Sequence, residues 1–238
     1  MGAGLTLWSN ALIVLKRLGA AERVMATGSR VARLGIRTAT GHVLSVTPLG
    51  RAEKRFGVPG GVSMHRADLL RELIRTDDPS RVHLRSPCVG IEESTSQVIA
   101  QFADGGEDGG EARADFVIGA DGLDSVVRSQ LFGDASPRYA GYTCWRGVAT
   151  LDRVTLAPAT AFETWGRGRR FSVYHRGRGG LFSGTTHNEP PNGVDGAHGR
   201  KADAQKLFST WHEPIPSVIA ATPEILRNDI ADRLPIRA

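Results

Sequence analysis

One stretch limits the fold more than any other. The apolar run Ala114-Asp115-Phe116-Val117-Ile118 leads directly into Gly119-Ala120-Asp121-Gly122, and Leu123-Asp124-Ser125-Val126-Val127-Arg128 then reads as a helix start. A strand that hands a glycine turn to a helix N-terminus is the joint of an α/β layer. Glycine there lets the backbone approach a ligand closely, and the first N–H groups of the new helix face an anion. Asp121 at the strand end can accept from a ribose hydroxyl, as acidic residues do in dinucleotide sites. The same residues also read as a plain strand–turn–helix joint in which Ser125 or Asp124 caps the helix. Taken alone, they leave both readings open.

Around that joint the periodicity predicts a sequence of short elements. Leu5 to Leu18 carries apolar residues at helical spacing, with Ser9 or Asn10 as N-cap and Gly19 as the stop. Val31 to Thr38 and His42 to Pro48 alternate and meet around Thr40-Gly41, a hairpin pattern. Arg55 to Gly61 is a Pro/Gly-rich connection, and Arg66 to Ile74 is an amphipathic helix with Leu69, Leu70, Leu73 and Ile74 on one face. Val82 to Leu84, Cys88 to Glu92 and Gln97 to Phe102 read as a meander, followed by a polar turn from Asp104 to Glu111.

From Tyr139 the texture changes. Tyr142 to Leu151, Ala161 to Trp165, Phe171 to Tyr174 and Leu181 to Thr186 predict one antiparallel sheet with Gly- and Arg-rich turns. A loop from Asn188 to Gly199, a helix from Asp203 to Trp211 capped by Asp203, a helical turn from Ser217 to Ala221 and an extended end from Asp229 complete the chain. The expected division is 1–132 and 133–238, with the hairpin 31–48 packing with the second part.

Composition removes several classes of function. With 40% apolar and 23% charged residues, the 238-residue chain has the balance of a globular protein with a core. No apolar run approaches the roughly 18 residues of a membrane span, and the longest, Ala11 to Leu15, is closed by Lys16-Arg17. The first residues lack a basic n-region and cleavage site, which points to the cytoplasm. Cys88 and Cys144 form no CxxC, and the seven histidines show no ligand spacing, so no metal is expected. The formal charge of +5 invites a nucleic-acid reading, and the densest cluster is Arg167, Arg169, Arg170, Arg176 and Arg178. Only Lys16, Lys54, Lys201 and Lys206 are lysines; the arginine excess reads as coding bias, and the cluster as a solvated hairpin with one or two functional arginines.

The Asp115–Arg128 segment resembles the Asp-Gly motif of class A flavin-dependent monooxygenases, the para-hydroxybenzoate hydroxylase-like family. The resemblance runs both ways along the chain. Gly2 to Ala11 is similar to the segment after the second strand of the family's FAD domain, and His65-Arg66-Ala67-Asp68-Leu69 to the helix whose arginine reaches the flavin cofactor. Tyr139 to Gly147 resembles the first substrate-domain strand of the zeaxanthin epoxidase, salicylate and urate hydroxylase branch. Trp211 to Pro216, with Thr222-Pro223, resembles the approach to the last FAD motif. The family's opening strand with GxGxxG is missing, since Gly2-Ala3-Gly4 has no third glycine at Leu7. Its Gly-Asp-Ala-Ala-His motif does not follow Leu234-Pro235-Ile236. On that pattern the chain is expected to be a piece truncated at both ends.

The resemblance implies an α/β fold with α+β character: an incomplete Rossmann-like, glutathione-reductase-type FAD-binding domain plus an antiparallel-sheet substrate domain. It implies FAD, with NADH or NADPH as co-substrate, and transfer of one oxygen of dioxygen to an aromatic or alkene small molecule by hydroxylation or epoxidation. Carried over, Arg66, Val89 through its backbone, Asp121, Gly122 and Arg128 are cofactor-side residues. Arg170, Phe182 and Tyr142 are substrate-side, with Trp145 and Arg146 either lining the pocket or packing the strand. Phe182 stands where the urate-oxidising branch has a tyrosine, which disfavours urate. No residue is assigned a catalytic role, because the cofactor carries the chemistry. Two alternatives stay open: a non-catalytic chain of the same fold that binds no FAD, and another flavin oxidoreductase of the superfamily. Neither nucleic acid nor membrane is an expected partner, and the oligomeric state is left open.

Overall fold

The computed structural model describes residues 4–103, 110–133, 136–150, 156–177 and 179–236. The chain separates into two units, 1–77 with 141–230 and 78–140 with 231–238. These compact units are not bounded at the 132/133 division expected from the sequence.

The first unit begins with β1 (Gly4–Trp8), α1 (Ser9–Arg17), α2 (Ala21–Thr27), β2 (Ser29–Val31), β3 (Arg33–Thr38), β4 (Val43–Pro48), α3 (Gly50–Phe56), β5 (Gly61–His65) and α4 (Arg66–Ile74). Strands β1, β5 and β2 form a three-stranded antiparallel sheet in that order. Leu12, Leu15 and Val24 from the helices bury against Val62 and Met64 of β5. Each such side chain contributes about 1.5–3 kcal/mol of burial.

The helix expected from Leu5 therefore starts four residues late. Leu5 and Leu7 alternate with Thr6 and Trp8, and both leucines pack on the same core as the helices. Ser9 does not cap α1; its hydroxyl donates to the carbonyls of Pro59 and Gly60 at 3.2 Å each. The supposed connection at 55–61 ends α3 and leads into β5, a strand whose burial on both faces hid its period.

The second unit holds a 3₁₀ turn (Pro79–Arg81), β6 (Cys88–Glu93), β7 (Val98–Phe102), β8 (Glu111–Ala114) and α5 (Val126–Phe132). The strands form an antiparallel meander, and the Ile91 N–H donates to Gln130 Oε1 at 2.6 Å, tying β6 to α5. Two expected strands are absent. Val82 to Leu84 is irregular, with Leu84 76% exposed. The run 114–118 leaves the sheet at Ala114, and no described strand offers Phe116 or Ile118 a ladder, so both apolar side chains are exposed. Most of the turn expected from Asp104 lies outside the described residues.

The remaining elements are β9 (Arg138–Ala149), β10 (Thr160–Gly166), β11 (Arg169–His175), β12 (Leu181–His187), α6 (Gly199–Phe208), α7 (Ile215–Ala221) and β13 (Ile225–Asp232). They and the early hairpin make a seven-stranded sheet, order β13-β9-β12-β11-β10-β3-β4. The sheet is mixed, because β3 runs parallel to β10 with Leu34 opposite Ala161. A two-residue turn joins β10 to β11, and Gly168 takes its left-handed position at φ +66°.

Alternation gives this sheet two faces. Trp145, Phe162, Phe171, Val173 and Leu181 bury under α6 and α7, against Phe208, Ile215, Val218 and Ile219. Phe208 meets Phe171 and Trp211 edge-on, with centroids 5.2 and 4.8 Å apart. Helix α6 starts four residues earlier than expected. Asp203 lies inside it, where its carboxylate accepts the Gly196 N–H at 2.8 Å and anchors the preceding loop. Among the described residues no helix is long and apolar enough to cross a membrane.

Candidate functional site

The other face of the seven-stranded sheet holds the substrate-side residues expected from the sequence. Register places Tyr174 beside Phe182, Arg146 beside Gly184 and Arg170 beside Thr186, so alternating residues of β9, β11 and β12 share that face. Phe182 stacks on Tyr174. Arg170 Nε donates to the Thr186 hydroxyl at 3.2 Å, which holds its guanidinium along the sheet. Between them, a Cβ on Gly184 would meet nothing within 4 Å. A glycine in the middle of a strand, with open space above it, makes a floor onto which a flat molecule can settle.

Two concavities border this floor. A cleft of about 240 Å³ is lined by Gly4, His65, Arg146, Val148, Phe182 and Glu224, among others. Its apolar wall carries a few convergent polar groups, the make-up of a small-molecule site. His65 Nδ1 accepts the Ala67 N–H at 3.2 Å, capping α4 and leaving its ring proton on Nε2. Arg146 Nη1 donates to Asn228 Oδ1 at 3.3 Å. A more open groove of about 360 Å³ is lined by Tyr142, Trp165, Arg170, Thr186 and Asn188. The structure thus brings Arg170 and Tyr142 together, with Phe182 at the far side of Gly184. Trp145 points the other way, into the core under α6 and α7, while Arg146 lines the cleft. Burial pushes the Cys144 thiol up, so it stays protonated on this face.

Sequence reasoning missed Gly4, Gly184, Arg176 and Glu224. Gly184 carried a signal, a glycine inside an alternating strand, and Arg176 stood in the arginine cluster expected to hold one or two functional arginines.

Of the cofactor-side residues, Arg66 belongs to the first unit and opens α4 with an exposed side chain. Val89, Asp121, Gly122 and Arg128 belong to the second. There the turn after Phe116 is built closely onto α5: a Cβ on Gly119 would stand 2.8 Å from Val127. Gly122 has φ +88°, a conformation glycine adopts without strain, and open space around it. The Asp121 carboxylate accepts the N–H groups of Val126 and Val127 at 2.8 and 3.2 Å, and Ser125 caps the Arg128 N–H at 2.9 Å. The Ser125 hydroxyl, with those backbone donors, holds the Asp121 carboxyl below the usual carboxylate range. Arg128 Nη2 donates to the Leu234 carbonyl at 3.0 Å. Val89 sits in a β-bulge and is exposed, so packing is not what keeps it there.

The family described as FAD binding domain matches residues 3–155, close to two thirds of the chain. The chain belongs to this FAD binding domain family. It is 36% identical over 242 residues to aurachin C monooxygenase/isomerase of Stigmatella aurantiaca, a match covering 100% of this chain and 61% of that protein. It is 37% identical over 243 residues to 3-amino-4-hydroxybenzoate 2-monooxygenase of Streptomyces cremeus, covering 98% of this chain and 58% of the relative. The structure of a Klebsiella pneumoniae HpxO variant complexed with FAD superposes with a TM-score of 0.85 at 26% identity, over 99% of this chain and 63% of that one. The chain thus spans about three fifths of the length of these three proteins. FAD is the cofactor of this family. The turn 119–122 fits such a group, with an ionised acceptor, a left-handed glycine and open space.

Proposed function

We propose that this chain carries the substrate face and part of the cofactor contacts of an FAD-dependent monooxygenase of the cytoplasm, which hydroxylates or epoxidises an aromatic or alkene small molecule with NADH or NADPH as reductant. The observation that carries the reading is the open floor at Gly184, set between Phe182 and Arg170 on one sheet face. FAD, when bound, supplies the redox chemistry and the activation of dioxygen. The residues of the chain orient the substrate and shield it from water. The Phe182 ring offers an apolar stacking surface, and Arg170 offers a fixed donor fork for a carboxylate or phenolate on the same molecule. Tyr142 closes the Arg170 groove.

On the cofactor side, Asp121 and the Gly122 backbone N–H would offer an acceptor and a donor to FAD, with Val89 and Arg128 in the same unit as further contacts. Arg66, in the first unit, is proposed separately as a cofactor-side cation. The division of roles falls at 132/133, with 1–132 on the cofactor side apart from the hairpin 31–48, and 133–238 on the substrate side. The test is transfer of one atom of labelled dioxygen into 3-amino-4-hydroxybenzoate by the chain supplied with excess FAD and reduced nicotinamide. Nicotinamide oxidation without transfer to any aromatic would favour another flavin oxidoreductase.

A specific observation favours a second reading, a non-catalytic chain of the same fold. Asp121 already accepts two α5 N–H groups, and Arg128 already donates to Leu234. If those contacts hold against FAD, the chain keeps the family fold without the cofactor.

A further inference from the structure

The opposite face of the seven-stranded sheet holds a third concavity, of about 510 Å³, lined by Trp145, Arg169, His187, Lys206 and Arg227, among others. It is separate from the cleft and groove above, because Trp145 and His187 alternate onto the helix-covered face. Two of its lining residues carry a buried polar atom with no hydrogen-bond partner among the described residues: Trp145 Nε1, and His187 Nδ1, which lies 3.8 Å from a Glu189 carboxylate oxygen. Trp145 is 7% exposed, and its ring meets the His187 ring edge-on at 6.4 Å. Buried polar atoms in folded proteins are met by a partner, a water or a ligand. The indole N–H of Trp145, a residue that lines this polar concavity, has no such partner among the described residues and points to a ligand.

The surrounding groups indicate its class. Arg227, only 9% exposed at its side chain, is committed to Glu189 at 3.0 Å and lies 3.9 Å from Asp195. Asp195 is also held by Arg200 at 2.9 Å, and Asp203 accepts the Gly196 N–H. The acids of the pocket are therefore engaged. Arg169 Nη1 donates to the Leu207 carbonyl at 3.3 Å, which leaves its remaining N–H groups, the Lys206 ammonium and the Trp145 indole N–H as donors. Such a set takes an anion. With Glu189, Asp195 and Asp203 close by, a single negative charge suits the pocket better than a phosphate dianion. The loop over the site is seated by glycines: a Cβ on Gly193 would collide with the Arg227 guanidinium and one on Gly196 with the Asp203 carboxylate.

We infer that the pocket between β9, β12 and α6 is a binding site for a small organic carboxylate, held by Arg169, Lys206 and the Trp145 indole N–H and distinct from the substrate face. The site needs no FAD, and the inference stands apart from the proposed monooxygenase activity.

The test is a titration of the nitrogen-15-labelled 238-residue chain with sodium benzoate, followed through the indole N–H signals of its four tryptophans. Trp145→Phe assigns one signal. The expected result is a saturable movement of the Trp145 signal. Lys206→Gln, on the exposed side of α6, should weaken the fitted affinity by about tenfold through loss of one charge-assisted contact. Inorganic phosphate should move the signal less. Three outcomes would each overturn the inference: a stationary Trp145 signal, an affinity indifferent to Lys206→Gln, or movement confined to Trp165, which lines the Arg170 groove on the other face. Equal or tighter binding of phosphate would overturn the carboxylate assignment.

Discussion

The ring of Phe182 lies flat on the ring of Tyr174, with centroids 5.6 Å apart and planes 24° apart, and Gly4 closes over it so tightly that a Cβ there would stand 2.4 Å from the Phe182 Cγ. Strand β1 is thus fitted to the seven-stranded sheet at a residue without a side chain. Gly4→Val must push the ring off Tyr174 or lift β1, and overpacking of this kind costs about 1–3 kcal/mol. A lower urea midpoint is the expected outcome. Gly184→Ala, which meets open space, should leave the midpoint within about 0.5 kcal/mol of the parent. Equal midpoints for both variants would contradict the fit at Gly4.

The same open space makes Gly184 the place to block the substrate face. Gly184→Leu should fold normally, because its side chain enters empty volume. It should bind any hydroxybenzoate that the parent chain binds at least about tenfold more weakly, as the leucine takes the place of the ring. Calorimetry on both chains checks this. Unchanged affinity would move the substrate off the floor between Phe182 and Arg170.

Burial pushes the Tyr174 phenol up to about 12, and the nearby Glu163 carboxylate adds to the shift. The folded value is raised above the unfolded value of about 10, so the stabilisation is fully present below pH 10 and is lost as pH rises toward 12. That window amounts to roughly 2–3 kcal/mol at most. Tyrosinate absorbance should show one late step, and Tyr174→Phe should remove it together with the alkaline loss of stability in that window.

At the Asp121 turn the sign is opposite. The Ser125 hydroxyl and the Val127 and Val126 N–H groups favour the ionised carboxylate, so its stabilisation is present above the unfolded value of about 3.9 and lost as pH falls through the lowered folded value. The group is exposed, and the effect is correspondingly small. Asp121→Ala should cost about 0.5 kcal/mol, the low end for a lost helix cap. Amide exchange at Val126 and Val127 is the readout, and protection equal to the parent's would show that the contact does not cap α5.

How far the sequence foretold this fold depended on how each residue's period showed. Helix α4 was legible over its whole length because Leu69 and Leu73 recur at helical spacing, and β9 to β12 because their two faces differ in polarity. Strand β5 was not, since a strand buried on both sides has no alternation to read. The run 114–118 misled in the other direction, as Phe116 and Ile118 are apolar enough for a strand but have no described ladder to join. At the site, Arg170, Phe182 and Tyr142 were reached through family resemblance. The cleft beside Phe182 is set by Gly4, Arg176 and Glu224, which sequence spacing does not connect.

The reading of Asp121-Gly122 as cofactor contacts is tested most directly by titrating FAD into the 238-residue chain and following flavin fluorescence. The sequence holds no strand followed by GxGxxG to seat a pyrophosphate on a helix N-terminus. Each charge-assisted hydrogen bond forgone costs about 1.5–3 kcal/mol. The expected result is saturable binding weaker than micromolar, which Asp121→Ala lowers further and Gly184→Leu leaves unchanged. Binding at micromolar affinity or tighter, or binding indifferent to Asp121→Ala, would contradict it and place the nucleotide on other residues.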